Sequence, residues 1–371
     1  MRSAKPIAYA AVLLALLSAR ASAQYQEDRD TEAVNEERLF YFGLGYGSDA
    51  VFSPFTVVID EGFDILQLDG WDHRLSSHPF GASFKTVIRS MRHPFDTISQ
   101  NGVSTFLTSE LLPLSTRQSG GGQWLPNYQL HLVGGGMVVS GLREWYRAHG
   151  FGQPMLWSIA TAATYHLLNE TVENGYYRGL NLDAISDLYI FDVGGIVLFS
   201  SRSVRRFFSR KLHMRSWLQQ PSIGVRDGSL ENSGDYYSMQ WRIPGSRQWH
   251  VFYYFGLNNL VGLTRRMESG YGVSVGAGLQ ARNQVFVDEE DYRKTVDLVG
   301  TAGVFLDREH SLLASLVYAR ANYRRLSLNV YPGVLPGRKW SPGMWGILDG
   351  GGSVHLGVSL RWLPGVSTTF N

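Results

Sequence analysis

Beyond residue 220, hydrophobic and polar positions alternate with a period of two. In 274–282, Val275, Ala277, Leu279 and Ala281 alternate with Ser274, Gly276, Gly278, Gln280 and Arg282, as in a strand with one apolar and one polar or small face. The stretch 354–362 repeats this, with Val354, Leu356, Val358, Leu360 and Trp362 against His355, Gly357, Ser359 and Arg361. In 235–242, Tyr237, Met239 and Trp241 alternate with Ser238, Gln240 and Arg242. Further strands are predicted over 248–258, 294–306, 311–320 and 324–331, between turn-prone stretches such as Pro244-Gly245-Ser246 and Pro332-Gly333.

One face of this set is small and polar. Trp241, Trp249, Tyr253, Tyr254, Trp340, Trp345 and Trp362 fall near strand ends or turns, and an aromatic, Phe370, stands one residue before the last. An outward apolar band flanked by aromatic girdles has this distribution. The predicted fold class is therefore mainly β with a helical insert: an antiparallel outer-membrane β-barrel of about 8 or more strands. A soluble two-sheet sandwich is the competing architecture, because it alternates too but buries its apolar faces.

Between residues 84 and 219 the period changes. Phe84, Val87, Ile88, Met91 and Phe95 predict an amphipathic helix over 84–97, with Lys85, Arg89 and Arg92 outward and Pro94 at its exit. The stretches 128–142 and 154–168 are apolar but carry His131 and His166, and 188–201 is interrupted by Asp192 and Gly194-Gly195. None reaches the length of an uncharged span, so they read as buried or interfacial helices. Residues 39–46 alternate around Gly43 and Gly45 and predict a first strand that closes the barrel against the last. The run 115–123 reads as a flexible linker.

Residues 1–23 read as a signal peptide, with Arg2 and Lys5 before the apolar stretch 7–17 and Ala21-Ser22-Ala23 as cleavage box. An acidic leader follows over 24–37. The expected organisation is then 38–123, holding the first strand and the amphipathic helix; 124–219, a helical module at the periplasmic face or on the barrel; and 220–371, the barrel strands. Export predicts an outer-membrane location, with the periplasm as alternative. The chain has 34 basic and 32 acidic residues, and losing Arg2, Lys5 and Arg20 with the signal leaves a formal charge of −1. Global charge therefore selects no partner, and nucleic acid is not expected. There is no cysteine, which excludes disulfides and an acylated lipoprotein anchor.

Candidate chemistry lies in the helical module. His166, Glu170 and Glu173 are spaced i, i+4 and i+7, which places them on one helical stripe. Asp183, Ser186-Asp187-Leu188 and Asp192 follow, and His131 and Glu144 come from the preceding helix. Carboxylates and a neutral imidazole on one stripe can ligate a divalent metal or serve as acid and base. The candidate metal ligands are His166, Glu170 and Glu173, and the candidate catalytic set is His166, Glu170, Glu173 and Asp187. The ordinary alternative is structural: Asp183 or Ser186 as a helix cap, and Glu170 and Glu173 paired with Arg143, Arg147 or Arg178. No two-histidine zinc helix, nucleophile elbow, phosphate loop or dinucleotide turn is present.

The order His166, Glu170, Glu173, Ser186-Asp187-Leu188 and Gly194-Gly195, after two short apolar helices, resembles uncharacterised Gram-negative envelope families. These domains of unknown function pair a small helical module with a β-barrel or an outer-membrane lipoprotein. The resemblance covers about residues 125–200 and implies an envelope setting and a shared module, but no reaction. A second feature is the basic run Arg202, Arg205, Arg206, Arg210, Lys211 and Arg215, interleaved with Val204, Phe207, Phe208 and Leu212. Such a stripe suits outer-membrane lipid with anionic headgroups. The expected role is a structural or interaction protein whose barrel anchors the module; the alternatives are an envelope hydrolase with Glu170 or Glu173 as base, or a small-molecule channel.

Overall fold

The computed structural model describes residues 38–112, 125–288, 293–334, 341–361 and 363–370. The signal, the acidic leader, the linker 115–123, Trp340 and Trp362 lie outside the described residues.

Alternating sequence becomes sheet in the C-terminal region. The strands are β1 (Arg215–Ser216), β2 (Ser222–Gly224), β3 (Leu230–Glu231), β4 (Tyr237–Arg242), β5 (Trp249–Phe255), β6 (Asn258–Arg266), β7 (Tyr271–Asp288), β8 (Arg293–Arg308), β9 (Ser311–Ala319), β10 (Leu326–Val330), β11 (Gly343–Leu348), β12 (Val354–Leu360) and β13 (Leu363–Phe370). They form a single 13-stranded sheet, in which β4 to β13 each pair antiparallel with the next strand in the chain. Among the described residues, the sole parallel pairing joins β13 to β2. The strand ladders begin at β1 and end at β3, and they do not close the sheet into a ring. Both ends are nevertheless carried by one short piece of chain: between β1 and β2, the Trp217 N–H donates to Tyr236 O at 2.6 Å and the Gln219 N–H to Gly234 O at 3.0 Å.

The period-two pattern sorts as expected on β7, where Val275 and Leu279 are 55% and 50% exposed while Ser274 and Gln280 are buried. On β12, Leu356, Val358 and Leu360 face out while His355 and Ser359 face in. Two expectations are corrected. The inner face is not all small and polar, because Trp217, Phe252, Tyr254 and Phe305 form an aromatic knot there with ring centroids 4.7–6.3 Å apart. Gly276 and Gly303, in register with Phe252 across β7 and β8, leave room for those rings: a Cβ on Gly276 would fall 3.3 Å from Phe252 and one on Gly303 2.8 Å from Phe305. Nor do Trp345 and Tyr254 belong to an outer girdle: both are buried, and Trp345 Nε1 donates to Ser222 Oγ at 2.9 Å. Over Tyr237 to Gln240 of β4 both faces are buried, because the helical module covers the Tyr237 side.

The longer helices are α1 (Pro54–Gly62), α2 (Phe80–Arg92), α3 (Pro94–Asn101), α4 (Gly136–Ala148), α5 (Pro154–Asn174) and α6 (Asp192–Ser200). A wider-wound π-helical segment, Leu125–Gly135, leads into α4, and Asp183–Ser186 and Asp187–Phe191 lead into α6. The helix predicted over 84–97 is two helices, because Pro94 has no N–H to continue α2 and takes the first position of α3. Leu39 to Tyr46 is not a strand. The N–H groups of Leu39, Phe40 and Tyr41 all donate to Glu144 Oε2, at 2.9, 2.8 and 2.9 Å, so a carboxylate of α4 takes the donors a ladder would need. Their side chains are buried against Met137 to Trp145 of α4 in the main core. Among the described residues no single helix is long and apolar enough to cross a membrane; Asp183–Ser200 and Arg202–Lys211, bent by 85°, meet that test only as a pair.

Candidate functional site

Glycine contacts build the site. A side chain on Gly195 would place its Cβ 2.6 Å from Leu132 O, and one on Gly136 would fall 2.7 Å from Gly195 O. Only glycine at these positions lets α6 lie directly on the backbone of the Leu125–Gly135 segment and the start of α4. That approach brings His131 to Asp192, the first residue of α6, and α5 supplies His166 from the other side.

His131 Nδ1 lies 3.0 Å from Asp192 Oδ1, and His166 Nε2 lies 3.1 Å from the same oxygen. Nitrogen and oxygen atoms of His131, His166 and Asp192 all fall within 4.8 Å of one another. On its other edge, His131 Nε2 lies 3.5 Å from Asp187 Oδ2, while Ser186 Oγ donates to Asp187 Oδ1 at 2.9 Å. The two imidazole rings are 5.1 Å apart. Burial opposes a charge on His131, but the Asp187 and Asp192 carboxylates outweigh it and hold that imidazole up at about 10. His166 goes the other way, lowered to about 4 by burial against the pull of Asp192. Burial raises Asp187 to about 7, with His131 working against it. The arrangement offers two imidazole nitrogens and a carboxylate to one point.

Of the residues singled out from sequence, His131, His166, Asp187 and Asp192 are in this cluster. Glu170 is buried on the same helix but contributes no atom to the three-residue ligand group. Glu173 turns toward the sheet, where Gln284 Nε2 donates to its Oε1 at 2.6 Å. Glu144 is one helix away and serves the 39–41 backbone, which corrects its expected place in the pocket. In the basic run, Arg202, Arg206, Arg210 and Lys211 are exposed. Arg205 and Arg215 are half-buried: Arg215 lies 4.4 Å from the Phe42 ring centroid and donates to Met214 O at 2.7 Å, so it does not share the exposed stripe.

Sequence reasoning missed a second cluster beside a cavity of about 650 Å³. There, His73 Nδ1 lies 3.3 Å from Glu231 Oε2, and the Tyr323 hydroxyl donates to the same carboxylate. His355 Nδ1 lies 3.8 Å from Glu231 and within 2.9 Å of Thr369 Oγ1. These residues come from a loop, β3, a turn, β12 and β13, and no local spacing links them. The one signal is His355, a titratable residue at an inward position of an alternating strand.

Asp64 is tied to α5, accepting from Ile65 N–H and from Asn169 Nδ2, each at 2.7 Å. Burial, then the Glu173 carboxylate, push it from the ordinary 3.8 up to about 7. The native state therefore holds a proton that the unfolded chain releases, and this stabilisation is complete below the unfolded value and lost as pH rises through about 7. Asp64→Asn keeps the acceptor and removes the charge. In thermal unfolding, the variant should match the parent near pH 4 and unfold at higher temperature than it at pH 8; equal stability at both pH values would refute this account.

Comparison with protein families, with curated proteins and with solved structures yields no match to this chain.

Proposed function

We propose that the chain is an outer-membrane protein whose sheet sits in lipid as a barrel and anchors the helical module, acting as a structural or interaction scaffold. One observation carries the reading. Leu263, Val275, Val304, Leu316, Leu328 and Leu356 form a cross-strand row over β6 to β12, interrupted only by Gly346 on β11. Each of the six is 44–55% exposed. A contiguous apolar surface of this extent is costly in water, and hydrocarbon is the solvent that suits it.

Three further features fit. Much of the inner face is small or polar, as at Ser274, Ser315, Ser327, Asn329 and Ser359, beside the aromatic knot and buried side chains such as Leu260, Trp345 and Ile347. The lone hydrogen bonds from Trp217 and Gln219 draw the two ends of the sheet toward one seam, as a spanning sheet without lipid-exposed edges requires. Arg202, Arg206, Arg210 and Lys211 follow an 85° bend after the apolar 183–200 helices, an arrangement suited to anionic headgroups beside a bilayer. The interior knot of Trp217, Phe252 and Phe305 fills the space a channel would need, which disfavours transport.

Electrophoresis with and without heating tests the proposal. Purified in detergent, the protein should migrate as a compact species when unheated and shift on boiling. A protein that is monodisperse without detergent and shows no shift would refute it.

A further inference from the structure

We propose that His131, His166 and Asp192 bind a first-row transition-metal dication, zinc first among them, which staples three separate helical pieces of the module. The proposal does not depend on the membrane reading, since a soluble form of the same fold would carry the same site.

The donor set comes first. Two imidazole nitrogens and one carboxylate suit zinc and its neighbours, whereas magnesium and calcium prefer oxygen ligands alone. The spacing agrees. With metal–ligand bonds of about 2.0–2.1 Å, donor atoms of a tetrahedral site stand roughly 3.3 Å apart. His131 Nδ1 and His166 Nε2 stand 3.0 and 3.1 Å from Asp192 Oδ1, so small movements would seat an ion between them.

The surroundings of His131 supply the second argument. A ligating imidazole usually gives its other N–H to a carboxylate, which fixes the tautomer and aims the free lone pair at the metal. Asp187 stands on the Nε2 edge of His131, held by Ser186, while Nδ1 faces Asp192 and His166. Asp187 is therefore a positioning residue behind the ligand.

The competing arrangement has no metal, with a charged His131 between two aspartates. In that case His131 Nδ1 hydrogen-bonds Asp192 Oδ1 and His166 Nε2 stands 3.1 Å from the same oxygen, while the buried Oδ2 of that carboxylate has no hydrogen-bond partner. Such asymmetry wastes an acceptor that burial makes expensive. A cation between Oδ1 and the two ring nitrogens uses the crowded side of the carboxylate, and Oδ2 becomes a further available ligand atom. Each ligand comes from a different piece of chain, the Leu125–Gly135 segment, α5 and α6, and each is 13% exposed or less in its side chain. Burial shields the ion from bulk water, and the three residues leave the fourth tetrahedral position to Asp192 Oδ2 or to a water.

The test uses the full chain in detergent, stripped with a strong chelator and titrated with zinc chloride. The expected result is uptake of one equivalent, unaffected by millimolar magnesium or calcium, and a rise in unfolding temperature that chelator reverses. Cobalt(II) in place of zinc should give the visible absorption of a four- or five-coordinate site with nitrogen ligands, a readout that needs no variant. His131→Ala and Asp192→Asn should abolish stoichiometric uptake, Asp187→Asn should weaken it about 10- to 100-fold, and His73→Ala, in the other histidine cluster, should leave it intact. The proposal is overturned if the stripped parent takes up no stoichiometric zinc, or if uptake survives His131→Ala and Asp192→Asn.

Discussion

Leu316→Arg is expected to lower the stability of the folded protein in lipid vesicles by about 2–4 kcal/mol, the cost of an arginine on the lipid face near mid-bilayer. Leu316 sits in the centre of the outer apolar row, opposite Val304 on β8 and Leu328 on β10, and is 44% exposed. In water, the same substitution at a half-exposed position should change stability by no more than about 0.5 kcal/mol. The two environments thus predict effects that differ several-fold in one measurement. Denaturant titration of parent and variant in vesicles decides it, and a change within about 0.5 kcal/mol would remove the lipid reading. Ser315→Ala, on the inward face of the same strand, separates this effect from general damage to β9, because it should be nearly silent.

Trp217→Ala is expected to cost about 3–5 kcal/mol, the range for deleting a large buried aromatic. Trp217 is fully buried, its ring stands 5.6–6.0 Å from those of Phe252, Tyr254 and Phe305, and its Nε1 donates to His310 O at 2.9 Å. Its backbone N–H also belongs to the seam between the two ends of the sheet. The loss should therefore appear as a lower temperature for the electrophoretic shift as well as lower denaturant resistance. Trp217→Phe keeps most of the packing and loses the single hydrogen bond to His310, so its cost should stay near 1–2 kcal/mol, of the order of one buried hydrogen bond. Equal losses for the two variants would mean that ring volume is not what holds the knot together.

Much of the sheet was legible because period-two alternation is a local property: Val275, Leu279, Leu356 and Val358 face out wherever their strands go. The helices around 128–142 and 154–168 were legible for the same reason, through length and apolar content. Errors arose where a distant residue overrode local preference. Residues 39–46 alternate like a strand, but Glu144, about a hundred positions away, takes their N–H groups. Trp345 looks like a girdle aromatic, but Ser222 receives its N–H from inside.

The candidate site shows the same division. The stripe of His166, Glu170 and Glu173 was readable from helical spacing, yet spacing says nothing about what faces that stripe. The structure turns Glu173 to Gln284 and gives His166 the company of His131 and Asp192. Gly136 and Gly195 are the cause, since they let two backbones touch and so set which side chains meet. Of the Glu231 cluster the sequence offered only His355 as a signal, because its members join only when β3, β12 and β13 are assembled.

By itself, the chain determined which faces are greasy, where helices give way to strands, and that no thiol chemistry holds them, because each follows from neighbours within a few residues. Tertiary structure alone decided that Trp217 and Gln219 hydrogen-bond to the chain just before β4, that one aspartate lies beside two histidines, and that one glutamate binds a peptide segment. Those outcomes depend on contacts between positions far apart in the chain, and periodicity carries no information about distance in space.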